Sequence, residues 1–228
     1  MSPETTRKVG VVTNILAANE RVADENRRVF ARYGLCVINL ISSPGAGKTT
    51  LLEKTLPALA AKGIRAAVIV GDIATTRDAD RLAVHGVPVV QIMTEAFGGS
   101  CHLEASTIRM GMEQIDLYAL DLLFVENIGN LVCPAEFDLG ERAKVALLSV
   151  TEGEDKPLKY PLAFQVSNLV LVTKVDLVPH LDFDLESLSA NLQAVNPRLA
   201  RLDLSARRGT GLDAWLAWLD AQIAASRG

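Results

Sequence analysis

Residues 42–50 read Ser-Ser-Pro-Gly-Ala-Gly-Lys-Thr-Thr, set between the apolar run LCVINLIS (35–42) and the helix-patterned LLEKTLPALAAK (51–62). A β-branched run, a glycine-rich turn and an amphipathic helix in that order leave few ways to fold. The chain must leave a buried strand, turn sharply and start a helix whose first N–H groups face the turn. Gly45 and Gly47 let the backbone curl so that consecutive N–H groups point inward, and the helix adds the positive end of its dipole. Such a turn traps an anion. Lys48 is placed to reach the β- and γ-phosphates of a nucleotide and the Thr49 hydroxyl to ligate Mg²⁺, with Pro44, Ala46 and Thr50 completing the cradle. Ser42 stands where the pattern opens with glycine, so the match rests on the later half of the motif and on its context.

The same logic extends along the chain. Six further apolar runs follow, AAVIVGD (66–72), VPVVQIM (87–93), LDLLFVEN (120–127), VALLSVTE (145–152), NLVLVTK (168–174) and ARLDLSA (200–206). Their unbroken apolarity suits strands covered on both faces. Between them, Leu51–Ala61, Ala74–Val84, Leu103–Ile115, Leu185–Val195 and Leu212–Ile223 have helical length and patterning. The alternation predicts a three-layer α/β fold of the P-loop NTPase type, with a mostly parallel sheet and right-handed connections. Ile15, Leu16, Val22, Val29, Phe30 and Tyr33 predict a helix over about residues 14–33, covering the sheet edge or meeting a partner. No repeat or low-complexity linker divides the 228 residues, so one domain spanning 1–228 is expected. The polar stretch 151–161, with two prolines, is expected to be an ordered loop.

The base of the nucleotide is specified further on. Lys174 and Asp176 stand at the end of the sixth run, where a carboxylate can accept from guanine N1–H and its exocyclic amine, and the lysine stem can lie along the base. Adenine would turn a lone pair towards that carboxylate. Ser205 and Ala206, in LDLSARRGTG (202–211), resemble the loop with which GTPases cover guanine O6. Thr173 replaces the usual asparagine, an exchange expected to lose some buttressing of the phosphate loop. Asp72 and Glu126 end their runs at the carboxyl edge of the expected sheet, in reach of the Mg²⁺ position and an attacking water, and Gly129 is placed to offer an N–H to the γ-phosphate. Lys48, Asp72 and Glu126 are therefore the candidate catalytic residues. No glutamine follows the Glu-Asn-Ile-Gly stretch to position water, so intrinsic hydrolysis is expected to be slow.

Three cysteines and three histidines remain to be placed. Cys101 and His102 are adjacent, and Cys133 follows the run that carries Glu126. Neighbouring residues in regular structure point in diverging directions, which disfavours a nucleophile with its base. From spacing alone, a half-buried turn and a metal site holding Cys101, His102 and Cys133 fit equally well. Three ligands leave a four-coordinate shell open, which a second copy across a two-fold axis could close. Cys36, inside a strand, reads as a core residue, while His85 and His180 read as solvent-facing.

A net charge of -4 with scattered Lys and Arg disfavours nucleic acid, and no run approaches a membrane span. The first residues, MSPETTRKVG, lack a secretory profile, so a cytoplasmic protein with free thiols is expected.

With these residues in place, the sequence resembles the HypB family of hydrogenase maturation GTPases, nickel incorporation proteins of nickel-iron hydrogenase assembly. NERVADENRRVF (19–30), NLISSPGAGKTTLLEKT (39–55), GGSCHLEA (98–105), the stretch from Glu126 to Pro161 and TKVDLVP (173–179) carry the likeness nearly end to end. The resemblance implies a SIMIBI-type G domain, a nucleotide-dependent homodimer, Ni²⁺ or Zn²⁺ held at its interface by Cys101, His102 and Cys133, and work with other maturation proteins and the hydrogenase large subunit. Neither the amino-terminal cysteine motif nor the histidine-rich tract of some relatives occurs here. The urease accessory GTPases are the nearest rival, but Cys133 and Pro134 are followed by Ala135 rather than the histidine expected of them. A P-loop small-molecule kinase, from a different class, would leave Lys174, Asp176 and Ser205 unexplained.

Overall fold

The computed structural model describes residues 10–97 and 100–227, so Gly98, Gly99, Gly228 and the stretch of residues 1–9 lie outside the description. Seven parallel strands run β1 (Cys36–Ser42), β2 (Ala66–Asp72), β3 (Val89–Met93), β4 (Leu122–Gly129), β5 (Ala143–Ser149), β6 (Leu169–Thr173) and β7 (Ala200–Asp203). Their order in the sheet is β3-β2-β4-β1-β5-β6-β7. The first strand thus lies at the centre, the chain building outward on one side through β4 and on the other through β5. Sequence therefore predicts the sheet correctly, and the fold is a P-loop α/β sandwich.

The helices are α1 (Gly10–Tyr33), α2 (Lys48–Ala61), α3 (Arg77–Ala83), α4 (Ala105–Met112), α5 (Cys133–Glu136), α6 (Lys156–Lys159), α7 (Pro161–Gln165), α8 (Leu185–Val195) and α9 (Leu212–Ser226). Cys36, Ile38 and Leu40 of β1 pack with α2 and α9, where the buried Trp215 donates its indole N–H to Thr55 Oγ1 at 2.9 Å. On the other face, Val37 joins the core under α1 and α4, and Ile41 the core under α7 and α8. Alternation puts Asn39 on that second face, fully buried between two aliphatic clusters.

Several boundaries move, each for a visible reason. Helix α3 starts at Arg77 rather than Ala74 because Asp72 Oδ1 accepts from the N–H groups of Ala74 and Thr75, holding a turn there. Helix α4 starts at Ala105, not Leu103, since Glu104 before it has an extended backbone, φ -102° and ψ 161°. Residues 151–161 are not simply a loop, because Pro157 and Pro161 sit in the first turns of two short helices, where their missing N–H groups cost nothing. Helix α1 begins four residues earlier than expected, and its buried stripe is Asn19, Ala23, Asn26 and Phe30, whereas Ile15 is 48% exposed. Asn26 Nδ2 donates to Ala105 O and Leu139 O, so this helix is fixed by buried amides as well as apolar contact.

Candidate functional site

The glycine-rich turn crosses the carboxyl end of β1 as the pattern predicts. Gly45 and Gly47 take φ 73° and 104°, left-handed values that side chains resist, and Lys48 opens α2 directly after them. Lys48 Nζ donates to Ser42 Oγ at 3.0 Å, so the residue that replaces glycine gives the lysine a partner. Burial pulls the ammonium down from its usual range, with Glu126 opposing the shift. Gly129 closes the other wall. A Cβ there would lie 2.9 Å from Pro44 Cα, so only glycine lets β4 approach the turn this closely.

Thr49 Oγ1 donates to Glu126 Oε1 at 2.7 Å, while Glu126 Oε2 is buried without a partner. Burial pushes the Glu126 carboxyl up to about 7. A hydroxyl and a dry carboxylate with one oxygen unpaired form an oxygen donor set suited to a hard divalent cation, which would restore the charged form. Asp72 borders the same cavity, of about 400 Å³, but its carboxylate is turned to its own loop, accepting from Thr75 Oγ1 at 2.9 Å. Thr49 and Glu126 are thus brought into contact, and Asp72 only into the neighbourhood.

A second cavity of about 240 Å³ continues from Gly47 and Thr50 to Lys174, Asp176, Ser205 and Ala206. The Ser205 hydroxyl beside Asp176 holds that carboxyl below the usual range, leaving it ionised and ready to accept. Lys174, at φ 60°, is the one non-glycine residue with a left-handed backbone among those described, and its Nζ donates to Gly45 O at 2.7 Å. Thr173 corrects an expectation: its Oγ1 donates to Ala46 O at 2.7 Å, so the threonine buttresses the phosphate loop.

At the neighbouring strand end, Cys101, His102 and Cys133 converge, their ligand atoms all within 4.8 Å of one another. The thiols are 2.7 Å apart and His102 Nδ1 lies 3.9 Å from Cys101 Sγ. Cys101 and His102 can face one point because they lie in a bend before α4, outside regular structure. The imidazole rests on the Phe137 ring at 3.9 Å between centroids, and burial lowers its basicity, favouring the neutral form that binds metals. Burial raises the Cys133 thiol, and a cation drawn into the cluster would displace that proton. Among the described residues this is the one cluster of three such side chains with convergent donors. Cys36 is fully buried in β1 and pushed up to about 11, as a core thiol should be. His180 is exposed as expected, but His85 is half-buried.

Residues 36–202 match the family profile of the CobW/HypB/UreG nucleotide-binding domain. A hydrogenase maturation factor HypB from Azotobacter chroococcum is 51% identical over 216 residues, covering 95% of this chain and 70% of the relative. The chain belongs to the HypB family. A crystal structure of HypB from Helicobacter pylori, in complex with nickel, superposes with a TM-score of 0.86 at 36% identity, over 92% of this chain and 97% of that one. The signal recognition particle receptor FtsY from Elizabethkingia anophelis shares the fold, with a TM-score of 0.54 at 15% identity over 84% of this chain and 69% of that one.

Within this HypB fold, two polar groups escape sequence reasoning. Arg81 of α3 borders the phosphate cavity, paired with Glu53 at 2.8 Å and reaching Thr50 Oγ1 at 3.2 Å. In sequence it is one charged residue on an amphipathic helix. The other is a chain of buried amides and charges behind the cysteines, Asn127, Asn39 and the neighbouring pair Glu141 and Lys144, which come from three separate stretches of sequence.

Proposed function

We propose that this protein is a single-domain, cytoplasmic GTPase that binds nickel and assists its insertion into nickel-iron hydrogenase, acting with other maturation proteins on the hydrogenase large subunit. The observation that carries this reading is the convergence of Cys101, His102 and Cys133 beside a nucleotide cradle in a HypB chain. Two thiolates and an imidazole suit Ni²⁺ and also Zn²⁺, with availability deciding between them. The nickel held by the Helicobacter pylori relative favours nickel as cargo.

The phosphates of GTP lie along Gly45 to Thr50, Lys48 leaves Ser42 for the β- and γ-oxygens, and Gly129 offers its N–H to the γ-phosphate. Asp176 accepts from guanine while the Ala206 N–H covers O6. Thr49 and Glu126, and Asp72 once released from its turn, are the residues to hold Mg²⁺, which would neutralise charge on the bridging oxygens. Asp72 or Glu126 orients the water that attacks the γ-phosphate. Hydrolysis is slow, because no glutamine follows the Glu-Asn-Ile-Gly stretch to position that water. Because three ligands leave the metal shell open, GTP favours a homodimer in which a second copy completes it.

Titration of Ni²⁺ and Zn²⁺ into the protein and a Cys101→Ala variant, with and without a non-hydrolysable GTP analogue, while following mass in solution, beside a comparison of GTP and ATP affinity, tests these points together. The expected result is one nickel-dependent, GTP-favoured dimer that the variant cannot form. Nickel affinity unaffected by the variant, or ATP bound as tightly as GTP, would sink the reading.

A further inference from the structure

Strand β4 carries two neighbouring side chains with different destinations. Glu126 contacts Thr49 at the phosphate cradle. Asn127, 1% exposed, is turned to the opposite face. Its Oδ1 accepts from Leu103 N at 3.2 Å and from its own neighbour Ile128 N at 3.0 Å. Leu103 directly follows His102. Asn127 Nδ2 donates to Asn39 Oδ1 at 3.3 Å, and Asn39 Nδ2 donates to Glu141 Oε1 at 3.1 Å. The Glu141 carboxylate also accepts from Leu139 N at 2.7 Å and lies 3.5 Å from Lys144 Nζ. Lys144 Nζ donates at 3.0 Å to Pro134 O and to Phe137 O, the carbonyls that bracket the turn beginning at Cys133.

We infer that Asn127 is the positioning residue that joins nucleotide state to metal affinity, holding the His102 loop directly and the Cys133 turn through Asn39, Glu141 and Lys144. The inference rests on the GTPase and nickel reading above and specifies how its two sites communicate. Three features support it. Each member is at least nine-tenths buried, so none would be retained in an aliphatic core without its partners. The chain is continuous, from the backbone beside one pair of ligands to the backbone beside the third. Its central amide is also one residue from the carboxylate that meets the nucleotide side, on a strand packed closely against Pro44 of the phosphate loop. A displacement of the end of β4 when the γ-phosphate arrives must therefore move the Leu103 N–H and the Asn39 amide together. The shared segment reaches Cys101 through Asn130, whose Nδ2 donates to Cys101 O at 3.5 Å, and Asn127 adds the link to the His102 side through the Leu103 N–H.

The test compares Ni²⁺ affinity with GDP and with a non-hydrolysable GTP analogue, in the wild-type protein, Asn127→Leu and Asn127→Asp. Coupling between sites typically changes affinity by roughly 5–150-fold, and the wild type is expected to fall in that range. Asn127→Leu, with the same branching at Cγ but without donor or acceptor, should bind GTP and Ni²⁺ yet show nearly the same Ni²⁺ affinity with either nucleotide. Asn127→Asp keeps the acceptor for Leu103 and Ile128 and should restore part of the difference, which a merely space-filling role would not. An undiminished nucleotide effect in a folded Asn127→Leu protein overturns the inference alone. A wild type whose nickel affinity ignores the nucleotide instead overturns the coupled reading beneath it. Should the leucine variant not fold, amide exchange in the wild type decides: protection of Leu103 N–H should differ between the GDP and GTP-analogue states, and identical protection overturns the proposal.

Discussion

Replacing Gly129 with alanine probes the contact that sets the distance between β4 and the phosphate loop. The added Cβ would stand 2.9 Å from Pro44 Cα and 3.1 Å from Pro44 N and Cγ. Carbon atoms pack best at about 3.5–4.0 Å, so the two backbones must separate by roughly 0.6–1 Å. Relieving such an overlap costs about 1–3 kcal/mol. The location of that cost follows from exposure. Gly129 is ladder-paired opposite Ser42 in the sheet, whereas Pro44 and Gly45 are exposed and free to recede. The loop yields in the empty protein, and thermal stability changes little. Binding needs the loop back in place, so nucleotide affinity takes the loss, about 5–150-fold in Kd. The loss should be larger for a GTP analogue than for GDP, because in the proposed binding mode only the former uses the Gly129 N–H at its γ-phosphate. Calorimetric titration with both nucleotides, beside thermal melting, measures this. A variant with wild-type affinity for both, or with a lowered Tm and intact affinity, would refute the argument that the loop rather than the strand gives way.

Other substitutions test other parts of the site. Thr173→Val removes the donor to the buried Ala46 carbonyl and should cost about 1–3 kcal/mol, read as weaker GDP binding and a lower Tm; no change in either would mean the buttress is idle. Asp176→Asn should lower GTP affinity by roughly a hundredfold or more and raise that for xanthosine triphosphate, whose O2 the new amide can meet; competition binding with both nucleotides reports it. Asp121 is held well below the usual carboxylate range, chiefly by Arg65 and also by Arg227, tying the start of β4 to the carboxyl terminus of α9. Its contribution is complete above the ordinary carboxylate range, near pH 4, and fades as pH falls towards its depressed folded value. Asp121→Asn should therefore lower Tm at pH 7, with the difference from wild type narrowing below about pH 4; a constant difference would contradict the assignment.

The sequence alone determined the sheet, the phosphate turn and the placing of Lys174 and Asp176 beside it, because each is written in contiguous residues. Periodicity marks strands covered on both faces, Gly45 and Gly47 are demanded by local backbone geometry, and Lys174 with Asp176 sits two residues apart on one strand end. Thr173 was legible in position but not in role, since only the folded loop shows that a threonine hydroxyl spans the distance to Ala46 O. From spacing, the convergence of Cys101, His102 and Cys133 could be named as a possibility and no more, and it was the family resemblance that implied it. Spacing carries no information on whether two segments 31 residues apart bend to one point, a bend decided by β4, α4 and the asparagines of α1 together. The buried chain from Leu103 through Asn127, Asn39 and Glu141 to Lys144 was invisible, because an asparagine within an apolar strand looks like an interruption of its pattern. Hydrophobic order is local and repeats along the chain. The pairing of buried polar groups is not local, because each needs a partner in direction as well as in distance, and only tertiary packing supplies both.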